Sequence, residues 1–133
     1  MTDRAALIAR ITDASAPSRE LNIAIWEARG LTEHEEDHCR MWCQTDGRTD
    51  LSRTDFLRAW APSFSSSIDA ALTLVKPGCE YQLSQTVSED KPFCEMTIMD
   101  TAHPERPLIV ESHPLAPLAI VLAALRMTED GNG

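Results

Sequence analysis

The sequence lacks any long hydrophobic run. No stretch approaches the roughly 20 apolar residues that a membrane-spanning helix needs, and residues 1–4 do not begin a secretory hydrophobic core. We therefore expect the protein to remain in the cytoplasm of the cell that makes it. In that compartment cysteines are expected to be thiols or metal ligands before they are disulfides. The four cysteines are Cys39, Cys43, Cys79 and Cys94.

Positive charge is also scarce. The chain has 12 basic against 21 acidic residues, a net charge of −9. A field of this sign repels phosphate backbones and anionic lipids, so we expect no direct binding to nucleic acid or membrane. Residues 1–30 are balanced, with four acidic and four basic residues, so the excess acid belongs to the rest of the chain. Two interpretations stay open: the charge serves solubility, or it forms an acidic face that docks on a basic protein.

Familiar catalytic motifs are missing, with one exception. The sequence has no Walker loop, no Ser/His/Asp order and no paired carboxylates above background. The pattern HExxH does occur at residues 34–38; in zinc proteases its histidines bind the metal and its glutamate, here Glu35, activates water. Glu36 and Asp37 make this stretch too polar for a buried active-site helix, and no third ligand follows at the expected spacing. We interpret the motif as a chance occurrence, and expect no enzyme activity, metal or cofactor.

A structural zinc site is the alternative use of the same segment. Cys39 and Cys43 share a face of a helix or a strand, close to His34 or His38. The other two cysteines complete a four-thiolate set only if their hairpin folds back on this segment. We favour the interpretation that the thiols are buried and act as small apolar side chains.

One stretch, residues 64–78, has the features of a complete helix. Ser66 is predicted to cap its N-terminus, with Asp69 at the positive and Lys76 at the negative end of the dipole. Pro77-Gly78 is a stop signal. The predicted buried stripe follows helical spacing: Ile68, Ala71, Leu72 and Val75. We expect this helix to organise the fold.

Two helices precede it, from about residue 3 to 14 and from 21 to a cap at Gly30, joined as a hairpin. Residues 31–62 are the least regular segment and are interpreted as a variable excursion. Thr32–Glu35 has the form of a capping box, which predicts a short helix as far as Arg40, whereas residues 39–45 can instead pair as a strand before the Asp46-Gly47 turn. Both possibilities stay open.

Alternating patterns over residues 81–87 and 94–98 predict a β-hairpin, and residues 108–110 a short third strand. The last helix, residues 114–127, is apolar on almost every side, so it is either enclosed in the fold or pressed on a second subunit. We expect self-association through it. The predicted oligomer interface consists of Leu118, Ile120, Val121, Leu122 and Leu125.

These elements predict a single domain over residues 1–133, with a flexible tail from residue 128. Its class is α+β: a small antiparallel sheet of three to four strands with helices packed on it, similar to an α/β/α sandwich.

Four segments carry a family resemblance. They are residues 7–11 (LIARI), 18–21 (SREL) with Ile25, 67–78 (SIDAALTLVKPG) and 117–126 (PLAIVLAALR). In this order they resemble the phage ABA sandwich domain, a family of small bacteriophage-encoded proteins in which helices flank a sheet. The resemblance implies an origin and a fold. It supplies no catalytic residues, because the family has no established common activity.

The resemblance and the acidic composition together favour a protein that acts by binding. We expect a phage counter-defence inhibitor that binds a component of a bacterial immune system through an acidic surface, in the host cytoplasm. Large rings outside regular helices are enriched at interfaces. The expected partner-binding residues are Glu33, Glu35, Glu36, Asp37, Trp42 and Trp60.

The alternative hypothesis is a sponge that encloses a nucleotide signal between subunits. Hydroxyl groups ahead of a helix N-terminus can hold a phosphate, and basic side chains lie nearby in the sequence. The expected ligand-binding residues are Arg53, Arg58, Ser65, Ser66 and Tyr81. Further alternatives are a metal-dependent hydrolase around His34 and His38, and a phage virion or housekeeping protein.

Overall fold

The computed structural model describes residues 4–45 and 52–130. In these ranges the chain forms six helices and one three-stranded antiparallel sheet, which confirms the α+β class. The elements are α1 (Arg4–Asp13), α2 (Arg19–Arg29), α3 (Glu33–Thr45), α4 (Arg53–Trp60), α5 (Ile68–Leu72), β1 (Cys79–Ser88), β2 (Lys91–Asp100), β3 (Ile109–His113) and α6 (Ala116–Asp130). None of the helices in these ranges combines the length and apolarity needed to cross a membrane.

The C-terminal helix α6 is the centre of the fold. It packs against β2 and β3 on one side and against α1 and α5 on others, so its surroundings are protein all round. The five residues predicted to form an oligomer interface are therefore buried inside a single chain: Leu118, Ile120, Val121, Leu122 and Leu125. That prediction is wrong, because these side chains leave no exposed surface for a second subunit. The other possibility that the sequence left open, an enclosed helix, is the one observed.

A buried histidine fixes the entry to α6. His113, the last residue of β3, is almost fully buried, and its Nδ1 accepts a hydrogen bond from the Leu115 backbone N–H at 2.9 Å. Its Nε2 therefore carries the proton and donates to the carbonyl oxygen of Ile11 at 2.8 Å. One imidazole thus joins the end of α1 to the turn between β3 and α6.

The sheet has the order β1-β2-β3, with β2 in the middle. The inner face of β2 carries Cys94, Met96 and Ile98, all buried under α6. The outer face, which includes Thr97 and Val110, has no fully buried side chain among the described residues. Within residues 4–45 and 52–130, helices therefore cover one face of the sheet only. The expected similarity to an α/β/α sandwich, with helices on both faces, is not seen in these ranges.

The hairpin of β1 and β2 is confirmed, but β1 is an edge strand that extends beyond the helices. Tyr81 and Val87, predicted to face the core, are 50% and 66% exposed. The turn between the strands, Glu89-Asp90, has positive φ at both residues (52° and 65°), as two-residue hairpin turns require.

The stretch predicted to organise the fold is only partly helical. Ser67 rather than Ser66 caps α5, accepting the Ala70 backbone N–H at 3.2 Å. The helix is short because residues 73–75 form tighter i→i−3 hydrogen bonds. Ile68, predicted to be buried, is 42% exposed. The predicted stop is present, with Gly78 at φ +88°.

The remaining N-terminal predictions are largely confirmed. The inner face of α1 consists of Leu7, Ile8 and Ile11, and Ser18 caps α2, which ends at the predicted cap, Gly30, with φ +85°. The described parts of residues 31–62 contain two helices: α3 continues beyond Arg40 to Thr45, so the strand alternative is wrong. The predicted Asp46-Gly47 turn lies outside the described residues. The tail expected from residue 128 is helical through Asp130, and residues 131–133 are not described.

Ile120→Ala tests the position of α6. Removing a fully buried side chain leaves a cavity, so we expect the free energy of unfolding to fall by about 2–5 kcal/mol without a change in subunit number. Urea denaturation and native mass spectrometry measure the two quantities, with Val110→Ala, at an exposed position, as the control. Normal stability combined with a changed subunit number would show instead that α6 lies at an interface between subunits.

Candidate functional site

An aromatic cluster joins α3 and α4 to the rest of the domain. Its centre is Phe56, which is almost fully buried. Around it the ring centroids of Trp26, Trp42, His38 and Trp60 lie 5.7, 5.9, 5.4 and 6.5 Å away. The first two of these rings are buried or half-buried, and the others reach the surface. The cluster therefore supports a surface as well as a core.

We call that surface the aromatic face; it consists of His38, Met41 and Trp60. Trp60 is 49% exposed although it packs on Phe56, and the His38 ring meets it edge-on at 5.0 Å. Met41, one turn along α3 from His38, is 60% exposed. Trp60 is thus held in position while half of its surface faces solvent. Trp42, predicted beside it, is half-buried and faces Phe56 instead.

The acidic residues predicted to bind a partner lie at the start of α3, but arginines neutralise most of them. Arg53 donates two hydrogen bonds to Glu36, at 2.8 and 2.9 Å. Arg40 pairs with Asp37 at 2.6 Å, and Arg29 pairs with Glu35. Glu33 is exposed in the same turn. The local negative charge is therefore smaller than the sequence suggests, because three partners come from α2, α3 and α4.

The glutamate of the HExxH pattern has a structural role. Glu35 accepts the Thr32 backbone N–H at 2.8 Å, and Thr32 Oγ1 accepts the Glu35 backbone N–H at 3.2 Å, so the predicted capping box is present. Partial burial raises the pKa of the Glu35 carboxyl, but the hydrogen bonds from Arg29 and Thr32 outweigh it, so the pKa lies below its usual value. His38 contacts rings, as described above, rather than a second ligand.

The cysteines do not come together. Cys39 and Cys43 lie one turn apart on α3, whereas Cys79 and Cys94 lie on different strands about 20 Å apart along the ladder, at the usual rise per residue. Burial, and then the neighbouring Cys43, raise the pKa of the Cys39 thiol; burial also raises the pKa of Cys79. In the described ranges no three His, Cys, Asp or Glu side chains are grouped as metal ligands would be.

A second candidate site is a polar groove of about 320 Å³ between α2, α4 and residues 61–66. Arg19 and Arg58 line it, together with Ser63 and Ser66. Neither arginine forms an ion pair among the residues that the structure describes. The groove therefore combines two basic residues with hydroxyl groups, in a chain whose net charge is negative.

Ser65 builds the floor of this polar groove. Its side chain is almost fully buried and accepts the Ser18 backbone N–H at 3.1 Å, while donating to Asn22 Oδ1 at 2.7 Å. Its own backbone N–H also donates to Asn22 Oδ1, at 2.8 Å. Ser65 therefore holds the loop after α4 against the start of α2 and has a structural role.

The predicted ligand-binding set does not form one site. Arg58, Ser65 and Ser66 meet at the groove, but Arg53 is held by Glu36 and Tyr81 lies on β1 beside a separate hollow of about 220 Å³. Sequence reasoning missed Arg19 and Ser63. No local pattern points to Arg19, because its position opposite Arg58 depends on how α2 and α4 pack.

Comparisons with protein-family models, with curated proteins and with solved structures find no match. The resemblance to the phage ABA sandwich domain therefore stays a prediction.

Glu35→Gln tests the structural role of the HExxH glutamate. At pH 7 we expect the free energy of unfolding to fall by about 1 kcal/mol, because the cap and the ion pair with Arg29 are weakened. Because the pKa of Glu35 is lowered in the folded state, its carboxylate stabilises the fold fully at pH values above the usual pKa of 4.5. The stabilisation is lost as the pH falls below that value and through the lowered pKa. The difference from wild type should therefore shrink at pH 3.

Urea denaturation at both pH values measures the difference in the free energy of unfolding between Glu35→Gln and wild type, with Glu33→Gln in the same turn as the control. An equal loss of stability at pH 7 and pH 3 would contradict this assignment.

Proposed function

We propose that this protein acts by binding another protein through the aromatic face of α3 and α4. The observation that carries the proposal is Trp60, half exposed and yet fixed against Phe56 and His38. Trp and Met are enriched at protein interfaces, and a ring that is already held loses little conformational entropy on binding. Exposed rings with this support are typical anchors for a partner.

Charge favours a basic partner. The chain carries a net charge of −9, and Glu33 and the ion-paired acids of α3 border the aromatic face. Because Glu35, Glu36 and Asp37 already pair with arginines, long-range attraction to a basic partner comes from the net charge of the whole chain rather than from these acids. We therefore expect the rings to provide the affinity, whereas the overall charge raises the association rate.

The resemblance of four segments to a phage family supports a more specific version. In it the protein is encoded by a bacteriophage, acts in the host cytoplasm without catalysis, and inhibits a component of bacterial immunity. Covering a basic, nucleic-acid-binding surface of that component would be sufficient for inhibition. The HExxH pattern adds little to the hydrolase alternative, since its glutamate caps α3.

Trp60→Ala tests the aromatic face. A partner captured from host extract with the wild-type protein is purified, and its affinity is measured by biolayer interferometry. We expect the variant to lose about 2–4 kcal/mol of binding free energy, the usual cost of truncating a central anchor. The wild-type association rate should also fall with added salt.

Val110→Ala, on the outer face of the sheet, is the matched control, and circular dichroism confirms that both variants fold. Equal affinity of wild type and Trp60→Ala would exclude the aromatic face as the contact surface.

A second candidate function rests on the polar groove. Arg19 and Arg58, which form no ion pair with any residue of the described ranges, lie beside Ser63 and Ser66 and are suited to a phosphate-bearing small molecule such as a nucleotide signal. This retains the sponge hypothesis with a smaller set of residues, since Arg53 and Tyr81 lie elsewhere.

Arg58→Ala tests the groove. Isothermal titration calorimetry with a panel of nucleoside phosphates and cyclic dinucleotides should show binding to wild type that weakens at least about tenfold in Arg58→Ala, because a charge-assisted hydrogen bond is lost. Arg53→Ala is the control, and should bind as wild type does because Glu36 holds its guanidinium. Absence of binding to wild type, or equal loss in both variants, would contradict the sponge hypothesis.

A further inference from the structure

The free edge of β1 is the longest unpaired feature of the sheet. β1 has ten residues and pairs with β2 along one side only. In the described part of the chain, no backbone hydrogen bond joins residues 80–87 to any segment other than β2. Long edge strands with open hydrogen-bonding groups readily pair with another strand.

The inner face of β1 is covered only in part, since Leu83 packs against the core whereas Tyr81 and Val87 are exposed. Its register with β2 places Tyr81, Leu83 and Val87 on the same side as the core residues Ile98 and Met96. Yet α6, the helix that packs on the sheet, lies over β2 and β3. Tyr81 and Val87 therefore stay about half or more exposed beside a packed core. An apolar stripe and an open edge thus occur on one strand.

We propose that two copies of this chain pair through β1, antiparallel and in a register centred on Ser84, to form a continuous six-stranded sheet. In this register Tyr81 of one copy lies opposite Val87 of the other, twice by symmetry, and Leu83 lies opposite Gln85. Aromatic and β-branched side chains are a favourable cross-strand pair. The two-fold axis is normal to the sheet, so both inner faces lie on the same side.

The charges at the ends of β1 fit the same register. Glu80 is the one charged side chain within β1, and it lies opposite Ser88 of the other copy rather than opposite itself. The two Glu80 side chains are therefore far apart along the paired strands. The pairing of Tyr81 with Val87 on both sides of the two-fold axis is what favours a second copy over an unrelated strand.

The inference is independent of the proposed function, since it uses neither the aromatic face nor the polar groove. The first test is size-exclusion chromatography with light scattering, under reducing conditions. Wild type should have about twice the 14.8 kDa mass of one chain. Val87→Lys should be monomeric, because it places a charge against Tyr81, whereas Thr86→Lys, on the outer face of the same strand, should stay dimeric. A monomeric wild type, or a dimeric Val87→Lys, would overturn the proposal.

A covalent test fixes the register directly. Residues directly opposite on antiparallel strands have Cα atoms about 4.5–5.5 Å apart, within the range of a disulfide. Ser84→Cys should therefore form a linked dimer under mild oxidation. Gln82→Cys should not, since its two copies would be about 13 Å apart. Equal cross-linking of both variants, compared with wild type, would overturn the register. A monomeric wild type in the first test would mean that the edge of β1 pairs instead with a strand of a different protein.

Discussion

The structure depends on a helix that must be enclosed on every side. Because α6 has almost no polar face, water is excluded from it only when the sheet, α1 and α5 are all in place. That requirement explains why helices lie on one face of the sheet: α6 lies against the inner face, and the other helices pack round it. The buried His113 then fixes α1 to the turn where α6 begins.

The helices α3 and α4 are attached in a different way. Rings around Phe56 and the ion pair between Arg53 and Glu36 join them, in addition to buried Leu57 and Cys39. A region attached largely through rings can present part of those rings outward without losing the domain core. The segment that looked least regular in sequence therefore carries the proposed binding surface.

Local signals in the sequence were sufficient for much of the fold. The extent of α1, the capping box at Thr32 and Glu35, and the alternation of β2 each depend on neighbours within a few residues, and each was predicted correctly. The errors concern neighbours that are distant in sequence. An apolar stripe shows that Ile120 is covered but not by what, and alternation along β1 cannot show that α6 lies over the other strands.

The candidate sites show the same contrast between neighbours that are close in sequence and neighbours that are distant. Trp60 was predicted from its residue type, whereas the neutralisation of the acids by Arg29 and Arg53 was not, because the partners come from other helices. Arg19 and Arg58 meet only after α2 and α4 have packed. Sequence pattern thus nominates candidate side chains for a site, and tertiary packing decides which of them remain available.

The position of α6 in the chain has a consequence for biosynthesis. Among the described elements α6 is synthesised after all the others, yet it contacts α1, which is synthesised before them. Until α6 emerges from the ribosome, Leu7 and Ile11 in α1 and Met96 and Ile98 in the hairpin lack the apolar surface that α6 provides. The core around α6 is therefore completed late in synthesis, and apolar side chains of the earlier elements stay partly uncovered until then.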